Sequence, residues 1–591
     1  MCGIFMAQGS DAGQQVLQGL KRLEYRGYDS WGVSVLKDGQ LQIDKHTGKI
    51  GGVDRVQLPS AEIALGHTRW ATHGGVTETN AHPHLASDGS FALVQNGVVE
   101  NYQELKAVLI AEGYEFISQT DTEVIVHLLE SERRTAGAQE LNLDIIKKAL
   151  SQLAGRSTVG VLTTTGVVYA FRFGSPLIVG KSEQGHLFLS SDVLSLSEVA
   201  NQYYSVNNGQ IIRIEGEKAE VTELSDHTLQ PVTFVAIDVE SMKLDKAGYD
   251  HFMLKEIHEQ PQAYTQILTG QETQLETLAA KIIQARHVYT VGAGSASFAA
   301  GQIAFYLRQQ GVLATELKSY EAKSYHSFAG TGDLCLAISQ SGETADTNEV
   351  IEWMKEQGVT IASLVNMSGS TLTALSDVPC MLQVGPEVGV ASTKALTGQM
   401  VWGAALAHVV AGRSVAEAKT LIAEFAEQLS SWLQTEEVMP LLHTLAIQLV
   451  THQHLFILGR GQLYYPALEF ALKMKEISYI HAEGFSGGEL KHGVIALIEK
   501  GTPVVCLITN DDEQADMLSA AAEVKARGAR VIGISPEPNE LFETWIQVPH
   551  SAEFAAVTSV IPSQFLTYFM ALEKGLDPDK PRNLAKSVTV K

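Results

Sequence analysis

The second residue of the chain is Cys2, in MCGIFMAQ, and its type and position together define a chemistry. Loss of the initiator Met would leave one residue carrying both a thiol and a free α-amine. An α-amine titrates at about 7.7–8.0, close enough to neutrality to take the proton of its own thiol, so one residue would be nucleophile and base. Position alone does not establish this, because a lone cysteine carries little information. Three other stretches would serve such a nucleophile. GHTRWATHG (66–74) offers Arg69 for a bidentate grip on a carboxylate, with Thr72 and His73 alongside. VQNGVVENY (94–102) supplies Asn96 and Gly97, an amide and a backbone N–H suited to an oxyanion hole. SQTDTEVI (118–125) opens a helix with Asp121, which can accept an α-ammonium. Taken singly, each has an ordinary reading: Asn-Gly as a hairpin turn, Asp as a helix cap, Arg as a solvated surface charge.

Two further stretches carry chemistry in the second half. LAISQSGETADT (336–347) runs from a strand end into a helix start, with Ser339, Gln340, Ser341 and Thr344 around free backbone N–H groups. That is an anion site, or else an N-cap with turn chemistry. In ALKMKEISYI, Lys473 precedes Glu476 by three residues, so a helix puts both on one face. A surface salt bridge would show the same spacing.

These groups must be positioned by two kinds of framework. Residues 1–230 are dominated by short β-type runs (WGVSVL, AEIALGHTRWAT, SFALVQNGVVE, STVGVLTTTGVVYAF, PLIVGKS, GQIIRIEG), several separated by turn residues, which predicts a mostly antiparallel sheet. Helical periodicity marks 15–25 and 121–134. After about residue 240 apolar strands alternate with long helical segments, the pattern of parallel α/β layers. The stretch 241–261 lies at the change. The second half repeats itself: VYTVGAGSASFAA (288–300) parallels LFILGRGQLYYPA (455–467), and 342–361 matches 512–531, with Glu343/Glu513, Ala345/Ala515, Asp346/Asp516, Lys355/Lys525 and Gly358/Gly528 identical. Where the first copy has SQSGET the second has Asp511 and Asp512, which would repel a phosphate. One copy is therefore expected to bind the anion.

Bulk properties exclude several classes. A length of 591 residues predicts roughly three to four domains. Composition, 45% hydrophobic and 19% charged, is that of a globular chain. A net charge of −24 argues against nucleic acid or an anionic membrane as partner. Cys335, Cys380 and Cys506 sit inside apolar runs without zinc-ligand spacing, no secretory pattern opens the chain, and 396–412 reads as a buried helix. A cytoplasmic location, with no metal and no cofactor, is the expectation.

The chain resembles a known family. CGI, LEYRGYDS (23–30), GHTRWATHGG (66–75), NAHPH (80–84), NGVVEN (96–101) and TDTEVI (120–125) resemble the glutaminase domain of the N-terminal-nucleophile amidotransferases. SQSGETADT, EVGVASTKA (387–395), ALKMKEISYIHAEGFSGGELKHG (471–493) and PRNLAKSVTVK (581–591) extend the likeness to the glutamine:fructose-6-phosphate aminotransferases, in the family's order over nearly the whole chain. The absence of a long glutaminase insertion makes it similar to the bacterial form. The resemblance implies mixed α/β and α+β architecture, a glutaminase domain followed by two sugar isomerase (SIS) domains. Its divisions are 1–240 glutaminase, 241–280 linker and lead-in helix, 281–430 first SIS domain, 431–580 second SIS domain, and 581–591 a tail.

The resemblance also implies roles. Cys2 attacks the glutamine amide, with Asn96 and Gly97 at the oxyanion and Arg26 near the nucleophile. Arg69, Trp70, Thr72, His73 and Asp121 hold glutamine, Trp70 adjoining the grip and gating the passage of ammonia. Ser339, Gln340, Ser341, Thr344 and Ser392 bind the sugar phosphate. Lys586 forms a Schiff base with C2, which a buried lysine of lowered pKa can do. Glu476, with Lys473, moves the proton between C1 and C2, and His492 opens the ring. Glutamine and fructose 6-phosphate are the implied substrates, in a homodimer. The polar tail 582–591 is expected to order over the sugar. Two departures stand out: Ala296 where relatives commonly carry a serine hydroxyl, with Ser295 or Ser297 as substitutes, and CGIFM for the commoner CGIVG. A sugar-phosphate-sensing regulator would need neither Cys2 nor Lys586, and a phosphoribosylpyrophosphate-dependent amidotransferase would need an acidic diphosphate motif in place of the repeat.

Overall fold

In the computed structural model the described residues are 2–226, 228–237 and 245–588. The chain divides into two compact units, Met1–Leu244 with Ser587–Lys591, and Asp245–Lys586. The expected loss of Met1, the start of the junction at 241–244 and the end of the tail at 589–591 lie outside the described residues.

The first unit packs two antiparallel sheets, of eight and seven strands, face to face. The strand Gly3–Gln8 lies in the larger sheet between Ile63–Arg69 and Leu187–Ser190. It is apolar from Gly3 to Ala7 because both of its faces are covered there. Ile4 and Met6 enter the core between the sheets with Leu65, Val94 and Leu162. Phe5 faces the helix Ala12–Arg22, where a Cβ on Gly19 would come within 2.4 Å of its ring. Each such buried side chain contributes about 1.5–3 kcal/mol. The smaller sheet turns Leu93, Val159 and Val161 toward the helices Thr122–Thr135 and Leu143–Leu150. Helix, sheet, sheet and helix thus stack in four layers. Cys2 thus stands at the head of a strand paired on both sides.

The second unit holds two parallel five-stranded sheets. In space the first runs Ala314–Lys318, Val288–Gly292, Leu334–Ser339, Thr360–Val365, Val378–Met381. The second runs His481–Ser486, His454–Gly459, Pro503–Leu507, Arg530–Ser535, Thr544–Gln547. Both follow the order second, first, third, fourth, fifth, so the repeat read from the sequence is a repeat of topology. Open sheets of this kind bind ligands outside the carboxyl ends of the strands, where the order reverses. SQSGET follows Leu334–Ser339 at that place.

Residues 396–410 of the expected 396–412 fall in the helix Lys394–Val410, whose Gln399 is buried with its apolar neighbours, and 411–412 form the turn after it. Helix Ala555–Glu573 is long and apolar enough to cross a membrane, yet its apolar window is 89% buried inside the fold. The expected linker 241–280 contains the helices Phe252–His258 and Gln260–Tyr264 and the start of Glu272–Gln284. Their Met253, Ile257, Tyr264 and Leu275 lie in the core of the second unit, so this stretch is part of that unit's body. Helix Val415–Leu433 runs through the expected 430/431 division.

Candidate active site

Cys2 is half-buried, and its Sγ accepts the Trp70 N–H at 3.3 Å. Burial pushes the thiol up, against the positive charge of the chain start, the Trp70 backbone and Arg69. A resting thiol therefore keeps its proton, and among the described residues no side-chain base is hydrogen-bonded to it. Asn96 and Gly97 close the strand Phe91–Gly97, paired with Thr158 and Ser157, and form no hairpin turn. Asn96 Nδ2 donates to the Cys2 carbonyl at 3.0 Å, so the amide points at the nucleophile's own residue. Gly97 has φ 127° and a Cβ there would sit 1.9 Å from the Arg156 carbonyl oxygen. Only glycine fits.

Asp121 precedes the helix Thr122–Thr135 without capping it. Its Oδ2 accepts the Val99 N–H at 2.7 Å and its Oδ1 lies 3.9 Å from His73 Nδ1, which ties the helix start to the Asn96–Gly97 strand. Burial raises its carboxyl, with Val99, His73 and Arg69 opposing. Arg69 is buried and its guanidinium donates to the carbonyls of Gly75, at 3.2 Å, and of His73. It thereby shapes the 70–75 turn, which Asp29 also holds through the Ala71 N–H at 2.9 Å. Thr72 is exposed and Trp70 half-buried, edge-on to Tyr28 at 5.6 Å. Arg26 is locked to Asp192 at 2.7 Å and also contacts Tyr25.

In the second unit, Ser339 Oγ accepts the Gly342 N–H at 2.9 Å and Ser341 Oγ accepts the Glu343 N–H at 3.2 Å, shaping the loop before the helix Ala345–Glu356. Gln340 is half-buried, and Thr344 occupies the N-cap position without a side-chain cap bond. Glu343 turns away from the loop to accept Thr371 N–H and Oγ1–H at 2.9 and 2.7 Å. Around Ala296, Ser295 donates to Glu469 at 3.2 Å and Ser297 to the Gly294 carbonyl at 2.7 Å, so both candidate substitutes are engaged within the chain.

Lys473 is fully buried, bridged to Glu469 at 3.3 Å and to Glu476. The surface reading of this pair does not hold. Burial alone would lower Lys473, and the two carboxylates overcome it and raise it. Glu469 is pushed up to about 7 by burial, with Lys473 opposing. Glu476 lies in a π-helical turn, Met474–Ser478, a geometry frequent at functional sites. Lys586 is not isolated in an apolar pocket. Its Nζ donates to Glu387 and, at 2.8 Å, to the Gly389 carbonyl. Glu387 also accepts from Thr393 N–H at 3.0 Å, Ala395 N–H at 2.9 Å and Ser392 Oγ–H at 3.2 Å. His492 is exposed on the short 3-10 turn Glu489–His492, apart from these bonded groups. At the matching place in the second copy, Asp511 accepts from Gln462 Nε2 and the Glu513 N–H, both at 3.0 Å.

Sequence reasoning missed Glu387, Glu469 and His67. Glu387 and His67 stand inside quoted motifs and Glu469 lies two residues before one, but their signal is burial, which spacing does not show.

The SIS domain family matches residues 281–409 and 448–574, and the glutamine amidotransferase domain family matches residues 42–228. Over 610 residues, all of both chains, the protein is 39% identical to the glutamine–fructose-6-phosphate aminotransferase (isomerizing) of Pyrobaculum aerophilum. It is 38% identical over 621 residues, again all of both chains, to that of Clostridium acetobutylicum. Among solved structures it is similar to the C-terminal domain of glucosamine-fructose-6-phosphate aminotransferase from Francisella tularensis, with TM-score 0.51 and 33% identity, over 57% of this chain and all of that one.

Proposed function

The chain belongs to the glutamine–fructose-6-phosphate aminotransferase (isomerizing) family, and from that premise we propose how its residues convert D-fructose 6-phosphate and L-glutamine into D-glucosamine 6-phosphate and L-glutamate. The observation that carries the residue assignment is the Asn96 amide aimed at Cys2 from a strand end that only glycine can complete.

Cys2, once its own residue is the first, attacks the glutamine δ-carbon while its α-amine takes the thiol proton. The oxyanion is met by Asn96 Nδ2 and the Gly97 N–H, in the low dielectric that makes such donors effective. Collapse expels ammonia and leaves a thioester, which water hydrolyses to glutamate. Arg69, Thr72, His73 and Asp121 hold the amino-acid end, and Arg26 keeps the neighbouring loop in place through Asp192.

On the sugar, Ser339, Gln340, Ser341, Thr344 and Ser392 take the phosphate, and His492 opens the ring. Lys586 adds to C2 and loses water to give the imine. Ammonia then displaces the lysine, and Glu476, kept in place by Lys473, carries a proton from C1 to C2. Ammonium is not nucleophilic, so ammonia reaches the imine before it equilibrates with solvent. We propose a homodimer in the cytoplasm, with glutamine and fructose 6-phosphate as the partners. The exposed His492 fits a site completed by a second copy, and four free cysteines fit a reducing compartment.

The test is mass spectrometry of product from fructose 6-phosphate and amide-15N glutamine in excess unlabelled ammonium. Retention of the label in glucosamine 6-phosphate supports direct transfer, and its dilution refutes it.

A further inference from the structure

His67 lies on the strand Ile63–Arg69, two residues before Arg69 and two after Leu65. Residues two apart on a strand share a face, and Leu65 lies in the core between the two sheets. His67 therefore points at the opposite sheet, toward the end of Phe91–Gly97. Its side chain is fully buried. Nε2 lies 2.9 Å from the Gln95 carbonyl and 3.0 Å from Asn96 Oδ1. Both neighbours are oxygens that can only accept, so Nε2 carries the proton. Among the described residues Nδ1 meets no partner.

An Asn carboxamide is nearly symmetric in shape, and its two orientations present opposite charges. With Oδ1 held by His67, Nδ2 is left for the Cys2 side, where it donates to the Cys2 carbonyl at 3.0 Å. A flipped amide would set Nδ2 against the His67 N–H and turn an oxygen toward the developing oxyanion. It would then repel the charge that it is needed to stabilise.

Resting on the reading of Asn96 as an oxyanion donor, we propose that His67 is a positioning residue that fixes the orientation of the Asn96 amide through its Nε2–H. Burial holds the imidazole down to about 3, so the ring stays neutral with its one proton on Nε2. The face of the ring stacks on His82, with centroids 4.3 Å apart and planes 25° apart. His82 in turn accepts the Gln95 N–H at 3.3 Å. The stack thus grips both the ring and the backbone next to Asn96. Nothing else in this arrangement requires a histidine, since an apolar side chain would fill the same core position without an unpartnered nitrogen.

The experiment compares H67Q, H67N and H67L with N96A in the full chain, reading kcat and KM for glutamate release and the rate at which iodoacetamide alkylates Cys2. Alkylation passes through no tetrahedral oxyanion, so it reports an intact site around the thiol. H67L is expected to lower kcat about 30- to 100-fold, with KM and alkylation changed by no more than about threefold. The Gln amide can place an N–H where Nε2–H was, and the shorter Asn cannot, so H67Q recovers most of the activity and H67N does not. Combining H67L with N96A adds little to N96A alone, because both remove one function. Equal losses in H67Q and H67N, or alkylation falling in step with kcat, would overturn the proposal as a merely structural role. If H67L does not fold, the H67Q–H67N contrast still decides it. If N96A itself leaves kcat unchanged, the oxyanion reading fails. If N96A is slow and H67N is not, only the role of His67 fails.

Discussion

In the proposed mechanism Cys2 and Lys586 are both nucleophiles toward a carbonyl carbon, and the two units hold them in opposite ways. Among the described residues the thiol is hydrogen-bonded to the backbone of Trp70, in a setting whose burial pushes its pKa up. The amine is clamped by a carboxylate and a carbonyl. The difference follows from what each must do before it reacts. A thiol that ionised at rest would meet solvent or oxidant unproductively, so in the proposed mechanism its proton is removed only during attack, by the amine of the same residue. A lysine serving a larger, anionic sugar must in that mechanism be aimed first, and Glu387 with Gly389 is placed to do so. One site depends on a chain end and the other on a buried polar network.

The comparison breaks most cleanly if the two nucleophiles are removed in turn. C2A should abolish glutamate and amino-sugar formation, by more than about 10³-fold, and leave fructose 6-phosphate isomerisation intact. K586A should prevent borohydride trapping of the sugar while keeping some glutaminase activity. An extra residue ahead of Cys2 should match C2A in glutamate release, because the base would then be an amide. Full activity in that variant would mean that another group deprotonates the thiol. Trapped sugar mapping to a different lysine would remove Lys586 from its role.

A smaller effect tests the clamp. E387Q leaves one acceptor oxygen where the carboxylate now serves Thr393, Ala395, Ser392 and Lys586. The maximal trapping rate should fall about tenfold, because the single amide oxygen cannot serve all of these donors and the amine loses its aim. An unchanged trapping rate would make Glu387 only an anchor for its loop.

The positions of the proposed glutaminase residues were largely legible in the sequence because they are local: Asn96-Gly97 at a strand end and Asp121 at a helix start are written in consecutive residues. The repeat was legible too, since identical residues recur in elements of equal length. The rest was hidden for one reason. Spacing places Lys473 and Glu476 on one face but does not say whether that face is wet, and the full burial of Lys473 with Glu469 makes an apparent surface pair part of a core charge network. Likewise Arg69 reads as a substrate grip, yet in the fold its guanidinium also sustains the turn that carries Trp70. The role of Ser295 was out of reach, because Glu469, its partner, is 174 residues away.

Coupling between the two nucleophiles gives a severalfold effect. Trp70 contributes its backbone N–H to Cys2, and its indole is half-buried. W70A keeps that N–H, so glutamate formation should persist while glucosamine 6-phosphate lags several-fold behind it, measured in parallel. Equal loss of both products would make Trp70 a packing residue of the glutaminase.

The smallest expected effect concerns the charge behind Lys586. Glu256 is 1% exposed, and its Oε1 accepts the N–H groups of Val388 at 2.5 Å and Gly389 at 3.2 Å, while Oε2 has no partner. Burial and the neighbouring Glu387 push it up to about 8, with Lys586, Val388 and Lys394 opposing. An acid raised on folding gains a proton between its unfolded pKa of about 4.3 and 8. The folded state then binds more protons than the unfolded one, so stability falls as pH rises through that window and levels off above it. A carboxylate left at pH 9 would also stand as a second negative charge near the lysine. E256Q keeps an acceptor for both backbone N–H groups and cannot ionise. Its melting temperature relative to the parent should therefore rise between pH 5 and pH 9, by a few degrees given about 2–4 °C for each kcal/mol. The parent's trapping rate should fall off in alkali more steeply than the variant's. Melting and trapping curves that stay parallel across that range would show that Glu256 is already ionised beside Glu387, and the lysine would then answer to two carboxylates instead of one.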